Sequence, residues 1–294
     1  MHRSGFAAVV VLAACAAGPQ RAPAPRPASD QQERLVEAER LYRSGDPGFD
    51  AARDELAGDP VTARWLTRMF IRDLIWARDQ RQADDEAFIG AVAGRSEHPV
   101  EVRAWRHLQA IGAAAAPALI EDLLRSPYSD RRQIGTELLG AVGPVTLPAL
   151  QPLLVDGDRS TRRMAVSALV EMEKTPAVRT ALERAVVDGD FTVRAEAVEG
   201  LARIGADAAP RLRDLLRSDA DPFVRRVVAA QLGAFHDAET ARALVEYLER
   251  CVADGDGRGI EATEAALIEI AGRKQSGGLA GWRRWLSGFA GGGG

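Results

Sequence analysis

The stretch Asp190-Phe-Thr-Val-Arg-Ala-Glu-Ala-Val-Glu-Gly-Leu-Ala-Arg-Ile-Gly205 places Val193, Ala197, Leu201 and Ile204 at i, i+4, i+8 and i+11. That spacing predicts one apolar stripe along a 3.6-residue helix. Asp190 stands at its start, where a carboxylate accepts orphan amides and suits the positive helix end. Gly205 stands just past its end, as a C-terminal glycine should. Pro210-Arg-Leu-Arg-Asp-Leu-Leu216 then opens a second helix. Its proline sits where the missing amide would have had no partner.

The same unit recurs. Leu108, Leu139, Leu169, Leu201, Leu232 and Leu267 are spaced by 31, 30, 32, 31 and 35 residues. An apolar residue and a small one follow most of them, as in Ile111-Gly112, Val142-Gly143, Ile204-Gly205 and Ile270-Ala271. Arg132, Arg162, Arg194 and Arg225 precede them by one fixed interval, and Asp158, Asp190 and Asp221 precede three of those arginines by another. Glu97 and Glu101 fill the two slots in the first copy. In the last, Asp256 keeps the acid while Ile260 replaces the arginine. Pro117, Pro148, Pro176 and Pro210 open second helices. Two short helices cannot enclose their own apolar face, so successive copies must stack.

Read together, Asp190-Phe-Thr-Val-Arg194 with Leu201 and Gly205, and Asp221-Pro-Phe-Val-Arg225 with Leu232, resemble the HEAT repeat of the short bacterial type, related to phycobilisome-lyase-like repeats. The resemblance covers residues 96–274. It implies an all-α fold, an α-solenoid of about five to six HEAT-like hairpins with helical caps at both ends. It also implies that the Asp and Arg slots form ladders between neighbours. Function is not fixed by such a fold, which serves many roles.

The N-terminus carries a different signal. Met-His-Arg-Ser-Gly precedes the apolar run Phe6–Ala14, ending in Leu12-Ala13-Ala14-Cys15. The run is shorter than the roughly 20 residues a bilayer span needs and fits the h-region of a secretory signal. The ending resembles the lipobox of bacterial lipoproteins. That resemblance implies a signal peptide over 1–14, lipidation of Cys15 by a diacylglyceryl group with further acylation such as palmitate, and cleavage before it. Ala16 after the anchor, where enteric-type lipoproteins place a retention Asp, implies an outer-membrane protein facing the periplasm. The alternative is a chance apolar terminus. Residues 15–32 read as lipidated cysteine and tether, with four prolines between 19 and 32. Polyproline II at about 3.1 Å per residue makes this a spacer on the order of 40 Å. Cys251 is then the one remaining thiol, read as a small apolar residue rather than a redox site.

Residues 33–95 read as an N-terminal helical cap. Leu35, Ala38, Leu41 and Tyr42 form a stripe, Gly45-Asp46-Pro47-Gly48 breaks it, and Phe49, Ala52 and Leu56 begin the next. Val61 to Arg81 carries Trp65, Phe70 and Trp76 on a broad apolar face, expected in the core rather than as an exposed patch. Asp84-Asp85 is expected to open a further helix before Phe88. Residues 275–294 read as a capping helix, with Leu279, Trp282, Trp285, Leu286 and Phe289 on one face, and a glycine tail. The competing reading is an amphipathic helix on the membrane.

Composition narrows the functions. The 294 residues carry a net charge of -4, so no basic excess drives nucleic-acid binding. There is no His-Glu-x-x-His, Walker loop or nucleophile elbow. No catalytic, cofactor-binding or metal-ligating residue is assigned. The expected function is a non-enzymatic, membrane-anchored scaffold that binds a protein or peptide in the concave groove lined by second helices. The groove candidates are Glu121, Arg125, Gln151, Arg179, Arg213, Arg217, Arg242 and Glu246. Their mixed signs suit a protein partner. The alternative is an enzyme or enzyme-accessory protein of the HEAT-like bilin lyase type, which acts in the cytosol. HEAT-fold base-excision glycosylases are a third comparison, disfavoured by acidity and export.

Overall fold

Four of the repeats begin where an aspartate closes the first turn of a helix. Asp158, Asp190, Asp221 and Asp256 accept the backbone N–H groups of Thr161 (2.8 Å), Thr192 (2.9 Å), Phe223 (2.8 Å) and Gly259 (3.0 Å). A computed structural model of the chain describes residues 25–87 and 98–291, apart from the side chains of 81–87 and 290–291. Glu97, Cys15, the signal peptide, most of the tether and the last three glycines lie outside the described residues.

The described residues are helical, with no strand among them. Three helices come first: α1 (Ser29–Ser44), α2 (Phe49–Ala57) and α3 (Pro60–Ala87). Six first-helix/second-helix layers follow. They are α4 (Pro99–Ile111) with α5 (Ala116–Leu119), α6 (Ser129–Val142) with α7 (Leu147–Leu150), and α8 (Arg159–Glu171) with α9 (Pro176–Ala185). Then come α10 (Phe191–Ala202) with α11 (Ala209–Ser218), α12 (Pro222–Leu232) with α13 (Ala238–Asp254), and α14 (Gly257–Ala271) with α15 (Gly278–Gly291). This is an all-α solenoid.

The core is one continuous apolar cluster from Ala38 to Trp282. Of the stripe read from α10, Val193, Ala197 and Leu201 are buried, while Ile204 is half-buried. Each first helix packs along the next, α4 on α6 through to α12 on α14. Small residues permit this approach. A Cβ on Gly140 would run into the Glu171 side chain, and one on Gly233 would lie 3.1 Å from Ala266 Cα. The second helices are set farther apart; α11 packs on α13 and α13 on α15, whereas contact between α7 and α9 is sparse.

Helix ends follow two designs. Gly143 (φ 91°) and Gly205 (φ 96°) turn the chain out of α6 and α10 in a conformation that favours glycine. The third copy has no such glycine. There Lys174 Nζ donates to the carbonyls of Leu169 (3.1 Å), Val170 (2.6 Å) and Met172 (2.5 Å), satisfying the orphan acceptors of α8 with an ammonium instead.

Several expectations shift. The first helix begins at Ser29, inside the stretch read as tether, because Gln31 Oε1 accepts the Ala28 N–H at 2.9 Å and holds the first turn. Trp65, Phe70 and Trp76 do not act together: Phe70 is fully buried, but Trp65 and Trp76 are 43% and 50% exposed. Asp84 and Asp85 lie within α3, which runs to Ala87, instead of opening a new helix. In the first copy His98, not an acid, caps α4, accepting from Val100 N–H at 3.2 Å. Glu101 is buried and takes Arg78 at 2.8 Å. Trp282 is fully buried, and its indole N–H donates to Glu264 at 3.3 Å as α15 lies against α13.

Candidate functional site

The arginine slots come first, since they are the most regular charged feature. Arg162 donates to both oxygens of Asp188 (2.8 and 2.9 Å), and Arg194 does the same to Asp219 (2.8 and 2.9 Å). A further N–H of each returns to its own loop, to Asp156 O at 2.9 Å and Asp188 O at 3.0 Å. The ladder is therefore real, but its acids are not the ones read from the sequence. Asp158, Asp190 and Asp221 are spent on caps. The ladder acids stand two residues earlier, in Asp188-Gly-Asp190 and Asp219-Ala-Asp221, and each also accepts the N–H of the capping Asp at 2.8 Å. The recurring Asp-x-Asp was the missed signal. Burial pulls the Asp188 and Asp219 carboxyls up, but Arg162 or Arg194 and that backbone N–H outweigh it and hold both below the usual carboxylate range. These arginines are bound into the fold.

The ladder stops at Arg225. Its guanidinium reaches Asp219 O (2.6 Å) and Ala220 O (3.2 Å), but Asp254, the equivalent acid, still lies in the longer α13. Buried Tyr247 and Cys251 occupy that neighbourhood. Burial, with Cys251 beside it, pushes the Tyr247 phenol up to about 12. Burial likewise pushes the Cys251 thiol up, which makes it an unreactive group.

A second buried polar cluster joins cap to solenoid. His107 of α4 sits among Tyr42, Phe49 and Phe70, stacked on Phe70 at 5.3 Å. Arg53 of α2 lies 3.0 Å from its Nδ1. Arginine can only donate, so Nδ1 accepts and the ring is neutral. Burial, then the charges of Arg53 and Arg106, lower the imidazole to about 4.

The eight groove candidates divide by what they touch. Glu121 is half-buried and lies 3.4 Å from Arg64 and 3.3 Å from Arg68 of α3, so it belongs to the joint between cap and array. Arg213 is locked in place: its side chain is 11% exposed, with Asp237 at 3.4 Å, Glu239 at 2.6 Å and the Thr240 hydroxyl at 3.2 Å. Arg179 pairs with Glu183 (2.9 Å) and Asp207 (3.5 Å). Arg217 of α11 and Glu246 of α13 face each other at 3.5 Å, both half exposed. Arg125, Gln151 and Arg242 are exposed, and neither arginine has an ion pair among the described residues.

Four of the eight line two separate hollows. One, of about 210 Å³, brings Arg213, Arg217 and Arg242 together with Pro210, Asp214 and Glu239. A larger one, of about 590 Å³, lies between α7 and α9 and includes Gln151. Arg184, in the last turn of α9, also lines the larger hollow, and nothing in its local sequence sets it apart from other helix-end arginines. Among the described residues, no group of three or more His, Cys, Asp or Glu side chains is placed to hold a metal ion. No described helix is long and apolar enough to cross a membrane.

The stacked hairpins, the Arg–Asp ladder and the capping aspartates define a helical-repeat array. The HEAT-repeat family is matched over residues 116–202 and 178–267, more than half of the chain. The chain belongs to the HEAT-repeat family. A search of curated proteins finds no match.

Proposed function

We propose that this protein is a non-enzymatic interaction scaffold of the bacterial cell envelope, held by a lipid on Cys15 and binding a protein or peptide partner on its second-helix side. One observation carries the reading. The first helices stack on each other along the array, while contact between the second helices α7 and α9 is sparse, and hollows lie open there and beside the paired α11 and α13. Such hollows leave unpaired arginines and apolar floors available to another chain, and matched charge tunes specificity and on-rate.

The anchor rests on residues outside the described structure. The lipobox-like Leu12-Ala13-Ala14-Cys15 supports it, and two or three acyl chains at about 0.8 kcal/mol per buried methylene give durable attachment. The helical body begins at Ser29, leaving residues 15–28 as spacer.

Membrane fractionation and mass spectrometry of the mature N-terminus test the anchor: an acylated Cys15 supports it, and an intact Met1 terminus rejects it. Co-purification of envelope proteins by wild type and by the paired reversals Arg179→Glu with Arg184→Glu, and Arg217→Glu with Arg242→Glu, tests the surface. Loss of the same partner in either pair supports the reading; unchanged recovery in both rejects it.

A further inference from the structure

The row of second helices is interrupted at α7, whereas the equally short α5 of the first layer continues as a π-helix over Ile120–Leu124. Leu147–Leu150 forms a single helical turn, Pro152 follows at once, and the chain continues as a short 3-10 turn over Leu153–Val155. Proline lacks the amide a helix needs and crowds the preceding turn. The equivalent helices α9 and α11 run for ten residues each. The turns lost from α7 leave one side of α9 uncovered, and this creates the hollow of about 590 Å³.

Leu147 and Leu154 make one wall, and Ala177 and Ala181 the other. The alanines keep the space wide, and Val155 beside it is 80% exposed. Two charged side chains line the hollow, Arg184 and Asp188. Asp188 is already engaged by Arg162 and by the N–H of Asp190. Arg184, exposed on the last turn of α9, has no ion pair among the described residues. What the hollow offers a visitor is thus an apolar floor with one free cation at its rim, and Gln151 supplies an amide opposite.

We infer that this hollow receives an extended segment of another polypeptide, with an aliphatic side chain on Leu147, Leu154 and Ala181 and a neighbouring carboxylate on Arg184. The inference rests on the scaffold reading and names which part of the surface reads the partner and what is read. The carboxylate satisfies Arg184, while a basic segment in the same place meets repulsion. The apolar floor sets the register of the segment; the cation sets its sign.

A random-peptide display library selected on the immobilised full chain tests this. The expected result is enrichment of sequences with an aliphatic residue within a few positions of Asp or Glu. A synthetic peptide of the enriched sequence then binds wild type. Its affinity falls at least tenfold with Arg184→Glu, and the variant prefers the same peptide with Lys in place of the acid. Ala177 is exposed, so Ala177→Trp fills the hollow without disturbing the core and abolishes binding of both peptides. Thermal unfolding of each variant checks folding, and Arg184→Gln, with a graded loss, replaces Arg184→Glu if the latter unfolds. Enrichment without acids, no enrichment at all, or binding indifferent to Arg184 and Ala177 overturns the inference. Binding lost instead on Arg217→Glu with Arg242→Glu overturns the hollow but leaves the scaffold reading standing; failure of that reading shows separately, as unchanged partner recovery from cells.

Discussion

Arg162 and Asp188 join two successive layers through a two-pronged contact at 2.8 and 2.9 Å, while another nitrogen of the same guanidinium holds the carbonyl of Asp156 at 2.9 Å. One side chain therefore fixes both the spacing between repeats and the shape of its own loop. Arg194 and Asp219 repeat the arrangement, with the Asp219 side chain only 4% exposed.

Breaking the more buried rung leaves a guanidinium without its acid. Asp219→Ala is expected to destabilise by about 2–3 kcal/mol, below the about 3–5 kcal/mol of a fully buried pair because Arg194 keeps some solvent. Arg194→Lys keeps the charge but loses the planar fork, and recovers less than half of that. Urea unfolding of both variants checks the order. Hydrogen exchange should localise the loosening to α10–α12, since each repeat in such an array leans on its neighbours.

Acid acts through His107. Its folded-state value, about 4, lies below the ordinary 6.5 because burial and the nearby arginines disfavour the imidazolium. As pH falls through that window the unfolded chain takes up a proton that the folded chain refuses, so stability falls. The loss is on the order of 2–3 kcal/mol by pH 4. The depressed Asp188 and Asp219 carboxyls act the other side of that window, their contribution being lost only below the usual carboxylate range. His107→Gln keeps an acceptor for Arg53 and should flatten the limb between pH 6.5 and 4, measured by unfolding at several pH values. An unchanged slope rejects the assignment.

Close stacking of first helices makes Gly140 intolerant. Alanine is the better helix former by about 1 kcal/mol, but its Cβ would meet the Glu171 side chain and backbone of α8. Overpacking of about 1–3 kcal/mol exceeds the propensity gain, so Gly140→Ala should lower the melting temperature. Gly157, with open space around its Cβ position, is the control, and Gly157→Ala should leave it nearly unchanged.

Lys174 substitutes for a terminal glycine, so Lys174→Met should cost about 1–2 kcal/mol by leaving partly buried carbonyls unsatisfied. Chemical unfolding of this variant beside Lys274→Met, whose side chain is 70% exposed, separates the cap from a general charge effect.

Much of this architecture was legible because repetition amplifies weak signals. One Asp, one Pro or one Gly says little, but Asp158, Asp190 and Asp221 at matching positions announce helix starts. The ladder acids were less visible because Asp188 and Asp190 look alike on paper; only the loop geometry separates a capping acid from a bridging one. The surface was less legible still. Arg213 and Arg125 are both arginines on or beside second helices, yet Arg213 is gripped by Asp237 and Glu239 while Arg125 has no ion pair among the described residues. That difference depends on which neighbouring helix comes within reach, and no local pattern encodes it. The opening beside α9 was written in Pro152, whose effect appears only when the next layer is in place.

Thiol counting tests the anchor independently. The chain has two cysteines, and Cys251 is buried with a raised thiol. Protein purified from membranes should show no reactive thiol when native and one when denatured, because Cys15 is blocked. A second thiol on denaturation contradicts lipidation.

The most direct measurement is site-specific photocrosslinking in living cells, with the crosslinker placed in turn at Gln151, Arg184 and Arg242 on the second-helix side and at Arg163 and Glu261 on the first helices. The account predicts that the second-helix positions all capture one envelope protein and that the first-helix positions do not. Capture from the first-helix positions alone, or no defined product from any second-helix position, would contradict it.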